Sequence, residues 1–222
     1  MRFVLVVAAL AGCAPTRALA PLEPGQGAFT ASLGGPFVEV YGGPLPLPVT
    51  SVGYVRGIDG KLNVHGALYP TNLALFGVFG FDLGASYQLF EPQGARPRLM
   101  ADVTAYTFFG NLAKGEPKGG LRIFPDLQFI ASWPVGAKRT HLVPYVGVDQ
   151  FTEFFPTPHW NPSLVLGNEF RLGKRVGLQL EGKWIAPWVD TDPFVTHWYG
   201  ASSHGAFSAQ LGLTVYAGGG AP

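Results

Sequence analysis

The chain has 222 residues, 47% hydrophobic and 13% charged, with a formal net charge of +1. Disorder as the main state is excluded, because it needs low hydrophobicity and high charge, and so is a nucleic-acid partner held by a strong basic field. A single cysteine excludes an internal disulfide framework, and Gly 31, Pro 20 and 14% aromatics favour strands and turns over helices.

Residues 1–13 read MRFVLVVAALAGC. Arg2 provides a basic start, and Phe3 to Leu10 form an apolar stretch far short of the about 20 residues a spanning helix needs. This is the pattern of an export signal. Leu10-Ala11-Gly12-Cys13 resembles the bacterial lipobox, in which the cysteine is lipidated and becomes the first residue of the mature chain. The expected division is a signal peptide over 1–12, a lipidated Cys13 with a Pro- and Gly-rich tether over 13–26, a body over 27–217 and a flexible tail over 218–222. A cut after Ala18-Leu19-Ala20 is the alternative, with Pro21 directly behind it counting against it. Ala14 behind the cysteine, by resemblance to the lipoprotein sorting rule, implies the outer membrane.

Beyond residue 26 no helical periodicity is sustained. Apolar residues instead alternate with polar or small ones, as in Phe81-Asp82-Leu83-Gly84-Ala85-Ser86-Tyr87-Gln88-Leu89 and in Val176 to Trp184. The same pattern predicts strands at 28–33, 61–69, 98–108, 121–133, 141–149, 163–172 and 206–216, with 49–57 weaker but compatible. The total is about ten strands, nearly all roughly 9–13 residues long, the length a tilted strand needs to cross a bilayer.

The connections alternate as well. Ile58-Asp59-Gly60-Lys61 is a tight hairpin turn, and short turns recur near Pro92-Gln93-Gly94-Ala95, Gly136 to Arg139 and Leu172 to Arg175. The other connections, 34–48, 109–119, 150–162 and 187–204, are long, except for a short link near Pro70-Thr71-Asn72. Short turns at one end and long loops at the other are the layout of outer-membrane barrels, with the turns in the periplasm.

Alternation cannot by itself separate a soluble core from a lipid face, but aromatic placement helps, because aromatic girdles mark membrane interfaces. Tyr54, Tyr87, Trp133 and Phe170 are expected on the apolar face near the lower rim, and Phe109, Phe151, Trp184 and Phe207 near the upper. The opposite face carries His65, Asp82, Asp102, Arg122, Asp126, His141, Asp149, Glu169, Arg171, Glu181 and Lys183. Six of these are acids and three are Arg or Lys. A soluble core could not hold so many charges cheaply, since each must be paired or solvated. A barrel lumen can.

On these patterns residues 27–217 resemble the small bacterial outer-membrane β-barrel proteins. The segment Gln210-Leu211-Gly212-Leu213-Thr214-Val215-Tyr216 resembles the terminal-strand signal read by the barrel-assembly machinery, although the chain continues into a tail instead of ending on the aromatic. The resemblance implies an all-β fold, a single antiparallel up-and-down transmembrane β-barrel, in the outer membrane of a Gram-negative bacterium. Its expected partners are outer-membrane lipid and the assembly machinery, with any surface ligand or protein partner unknown.

No motif assigns chemistry. There is no phosphate loop, no CxxC pair and no HExxH. Asp190, Asp192, His197 and His204 match no metal-site spacing, and Ser202, Ser203 and His204 offer hydrolase residue types without a family motif. No cofactor, metal or catalytic residue is therefore assigned. The leading expectation is a structural or surface-binding barrel with long aromatic outer loops and a plugged polar lumen. The alternatives are a narrow channel for small solutes or cations, an outer-membrane hydrolase of the lipid A deacylase or protease type, and a soluble periplasmic lipoprotein with a lipid-binding cavity.

Overall fold

A computed structural model of the chain describes residues 14–40, 42–110, 120–135, 142–153, 159–191 and 198–218. The period-two pattern folds as expected into strands: β1 (Gly27–Val40), β2 (Gly43–Pro46), β3 (Val49–Gly57), β4 (Leu62–Leu68), β5 (Phe79–Phe90), β6 (Arg98–Gly110), β7 (Gly120–Ser132), β8 (Leu142–Glu153), β9 (His159–Leu172), β10 (Val176–Asp190) and β11 (His204–Ala217). Each barrel strand pairs antiparallel with its sequence neighbours, and β11 pairs with β1 from Gly27↔Ala217 to Pro36↔Ser208, which closes the sheet. Ten strands, β1 and β3–β11, form the barrel, and closure leaves no open edge.

The strands run further at the long-loop end than the alternation predicts. β1 continues to Val40 and folds back on β2 as a small ribbon, Phe37↔Pro46 to Val40↔Gly43. Much of what reads as loop in 34–48 and 150–162, and the first residues of 187–204, is therefore strand. The link at Pro70 is a short helix, α1 (Pro70–Phe76). Proline opens it, where its missing N–H costs nothing. Gly77 ends it at φ 66°, donating its N–H to Leu73 O while the Val78 N–H reaches Asn72 O.

The outer wall is apolar in the middle. Val103, Leu127, Val146, Leu164, Leu166, Leu180 and Leu211 are all exposed on it. Of the aromatics expected at the rims, Tyr54, Tyr87, Phe109 and Phe207 are exposed, and Trp133, Phe170 and Trp184 stand half-buried on the same outward face. Phe79, Phe81 and Phe109 pack together outside the upper rim, with Phe81 and Phe109 stacked at 6.2 Å between ring centroids.

Phe151 is the exception. It is buried inside the upper lumen, stacked on Phe124 and packed against Tyr106. The reason is parity: Phe151 lies two residues from Asp149, which points inward, so the two side chains share a face.

The turn at Ile58-Asp59-Gly60-Lys61 is fixed by Asp59, whose Oδ1 accepts the Lys61 N–H at 2.9 Å and the Leu62 N–H at 2.7 Å. These bonds favour the charged carboxylate and hold Asp59 below its ordinary 3.8. Its stabilising effect is thus complete above 3.8 and is lost as pH falls through the lower folded value. We predict that D59A unfolds faster than wild type at neutral pH, and that the difference vanishes in strong acid.

Leu166 lies mid-strand and is 66% exposed on the outer wall. In a water-facing position Leu166→Arg would be neutral. In a bilayer it is expected to cost about 2–4 kcal/mol, read by denaturant unfolding in lipid vesicles.

Candidate functional site

The inner wall gathers the charges of the inward face. Asp82, Asp126, Asp149, Glu169, Arg171, Glu181, Lys183 and His65 are buried, and Asp102 and Arg122 are half-buried on the same face. His141 lies outside the described residues. Inward glycines make room for bulky inward side chains of the neighbouring strand, since Gly84 is the register partner of His65 and Gly167 that of Tyr145. A Cβ on Gly84 would meet His65 Cε1 at 2.4 Å, and one on Gly167 would meet the Tyr145 ring at 2.2 Å.

The sequence pattern did not foretell what fills the lumen. Residues 14–22, expected as part of a tether, lie inside the barrel and run its length. Leu22 packs at the short-turn end against Ala28, Val55 and Tyr216, Leu19 against Ile130, Val143, Tyr145 and Val165, and Ala14 at the long-loop end among Tyr69, Val78, Phe108 and Phe124. The segment's backbone is bonded to the wall along the way. The Leu22 N–H donates to Asn63 Oδ1 at 2.8 Å, and Asn63 Nδ2 returns a bond to Ala20 O at 3.2 Å. Leu19 O accepts from Ser132 Oγ at 3.3 Å and Arg98 at 3.4 Å. The Thr16 N–H donates to Glu181 Oε2 at 3.0 Å, and Thr16 O accepts Gln179 Nε2 at 3.2 Å. Beside the segment lies a cavity of about 30 Å³ lined by Thr16, Arg17, Leu19, Glu169, Gln179 and Tyr216, with room for ordered water.

Three ionic groups result. Arg17 donates to Asp82 Oδ2 at 2.6 Å, to Tyr69 OH at 3.1 Å and to Ser51 Oγ at 3.2 Å. Tyr69 OH also donates to Asp82 Oδ2, and His65 bridges the group to Asp102, with Nε2 2.7 Å from Asp102 Oδ2 and Nδ1 3.9 Å from Asp82 Oδ1. In the second group Lys183 Nζ bonds Asp149 Oδ2 at 2.6 Å and lies 3.8 Å from Glu181 Oε1, while Tyr145 OH donates to Glu181 Oε2 at 2.8 Å. In the third, Arg171 Nε and Tyr216 OH both donate to Glu169 Oε1, at 3.2 and 2.9 Å.

Arg17, Tyr69, Tyr145 and Tyr216 were not among the expected lumen residues. Strand parity could have found Tyr145 and Tyr216, since each lies an even number of residues from a predicted lumen residue or an inward glutamine. Tyr69 carries the same signal, four residues from His65 at the end of the predicted strand 61–69, whereas Arg17 carries none.

Among the described residues the outer-loop candidates do not assemble into a reactive site. His204 is exposed, and its Nδ1 contacts the backbone carbonyl of Ser202 at 2.7 Å, not a serine hydroxyl. Asp190 and His204 are register partners at the top of β10 and β11. Asp192 and His197 lie outside the described residues, as does Cys13. Among the described residues no cluster of three metal-ligating side chains occurs.

No protein-family model and no curated protein matches the sequence. Solved structures do match in shape. An outer-membrane channel from Pseudomonas putida F1 superimposes with a TM-score of 0.51, covering 92% of this chain and 100% of that one at 8% identity. The translocator domain of the autotransporter NalP from Neisseria meningitidis gives 0.46, with coverages of 95% and 93% and 9% identity. The outer membrane protein OprG from Pseudomonas aeruginosa gives 0.35, with 90% and 99% and 11% identity. The first likeness shows a shared fold, the closed transmembrane barrel.

The Lys183–Asp149 pair is almost fully buried. Lys183→Met is therefore expected to destabilise the barrel by about 3–5 kcal/mol in denaturant unfolding, because it leaves Asp149 and Glu181 without their cation. Adding Asp149→Leu is expected to recover much of that loss.

Proposed function

We propose that this is an exported, integral outer-membrane barrel that works as a narrow pore for small cations, closed by its own residues 14–22. The single observation that carries this reading is the width of the bore. Ten strands whose lumen was filled by side chains alone would leave no room for a second backbone. Here an extended segment lies along the axis, held by hydrogen bonds and one ion pair and not paired into the sheet. With that segment displaced, the inner wall offers Asp82, Asp102, Asp126, Asp149, Glu169 and Glu181 against Arg98, Arg122, Arg171 and Lys183. This acidic excess favours cations.

The structural or surface-binding role remains the second reading, and the tight closure of the bore supports it. A barrel that stays filled has only its outer rim to act with. A hydrolase gains no support, since no His–nucleophile pair occurs among the described residues.

Planar-bilayer recording separates the first two readings. Wild type is expected to give brief openings or none. Arg17→Glu sets like charge against Asp82 and is expected to give a steady, cation-selective current. Silence from a correctly assembled Arg17→Glu barrel would leave the rim-binding role. Assembly is checked by gel mobility, because membrane barrels migrate as compact species until boiled.

A further inference from the structure

We propose that the cradle of Asp82, Tyr69 and Ser51 is a guanidinium-binding site, filled in cis by Arg17 and open to a soluble guanidinium compound when the segment leaves. Three acceptors converge on one planar cation: Asp82 Oδ2 at 2.6 Å, Tyr69 OH at 3.1 Å and Ser51 Oγ at 3.2 Å. The side chains of Arg17 and Asp82 are 6% and 0% exposed, so the ion pair lies almost wholly out of water.

Each acceptor is itself held in place. Tyr69 OH is hydrogen-bonded to Asp82, Ser51 Oγ lies 2.6 Å from Ser32 Oγ, and His65 stands 3.9 Å from the far oxygen of Asp82. The site is therefore a built feature of the wall, carried by β3, the end of β4 and β5.

Arg17 does not use the site fully. Asp82 Oδ1 and Arg17 Nε are both buried without a hydrogen-bond partner among the described residues. A guanidinium bonds a carboxylate best through two parallel N–H···O contacts, one to each oxygen. The backbone of Arg17 is pinned on one side by the Thr16 bonds to Glu181 and Gln179, and its head reaches only one oxygen. A free guanidinium has no such tether and can engage both. A primary ammonium is a compact point charge without the planar fork, so it would satisfy the three acceptors less well.

The bore that holds the segment also gives a slender cation its route. Guanidinium compounds with a short alkyl chain are thus the ligand class that the geometry selects. The site rests on the pore reading only in requiring that the segment can leave the lumen.

The test uses the full chain with Arg17→Ala, which empties the cradle and keeps the rest of the segment. Agmatine is the probe, and putrescine at equal ionic strength is the control. The readout is the temperature at which the barrel loses its compact gel mobility. Agmatine is expected to raise that temperature for Arg17→Ala at tenfold or more lower concentration than putrescine, and to leave wild type unmoved. Adding Tyr69→Phe or Asp82→Asn is expected to abolish the shift. Should the Asp82 variant fail to assemble, the Tyr69 variant decides.

Intact mass shows whether Arg17 is present in the mature wild-type protein. A mature chain cut after Ala20 lacks it and would overturn the filling of the site in cis. Equal responses to agmatine and putrescine, or a response indifferent to Tyr69 and Asp82, would overturn the site. Steady conductance without an agmatine shift leaves the pore and removes the site, and a shift without conductance does the reverse.

Discussion

The constraint on which the structure depends is the burial of carboxylates inside a closed sheet. Six inward acids line the bore. None can turn outward, because the outer wall is apolar and strand parity fixes each side chain to its face. Each must therefore find a cation, a hydroxyl donor or water. The wall answers with Lys183 for Asp149 and with Arg171 and Tyr216 for Glu169. For Asp82 the wall supplies His65 at 3.9 Å and the Tyr69 hydroxyl, and the full counter-charge comes from Arg17 on a segment that is not part of the wall. Pairing of charge thus binds a free stretch of chain into the lumen.

Much of the fold was legible in the sequence because a barrel strand carries its own face in a period of two. The turns were legible for a similar local reason: Asp59-Gly60 sits where a tight hairpin needs an acceptor side chain and a glycine. The upper strand ends were harder to read. There the residues facing inward become aromatic too, so contrast between the faces fades. Phe151 shows this. It reads as an interface aromatic by type, and only its distance of two from Asp149 places it in the lumen.

The lumen's occupant was hidden for a different reason. Ala14 to Leu22 has the composition of a tether, and nothing within it signals burial. Its partners are Asn63, Asp82, Ser132 and Glu181, between 41 and 165 residues away in the bonds they form. Such pairings exist only once the sheet has closed. The imbalance of six acids against three bases was, however, a readable sign that the wall was short of cations. In the proposed function the segment unites two expectations that stood apart, a plugged lumen and a narrow cation path, as the closed and open conditions of one bore.

The central claim is that residues 14–22 belong to the lumen of the folded protein. Amide hydrogen exchange of the barrel purified from outer membranes tests it most directly. The N–H groups of Thr16 and Leu22 donate to buried Glu181 and Asn63, so both are expected to exchange as slowly as amides of the neighbouring strands. Exchange at the rate of an unstructured peptide, or a mature chain that lacks residues 14–20 altogether, would contradict it.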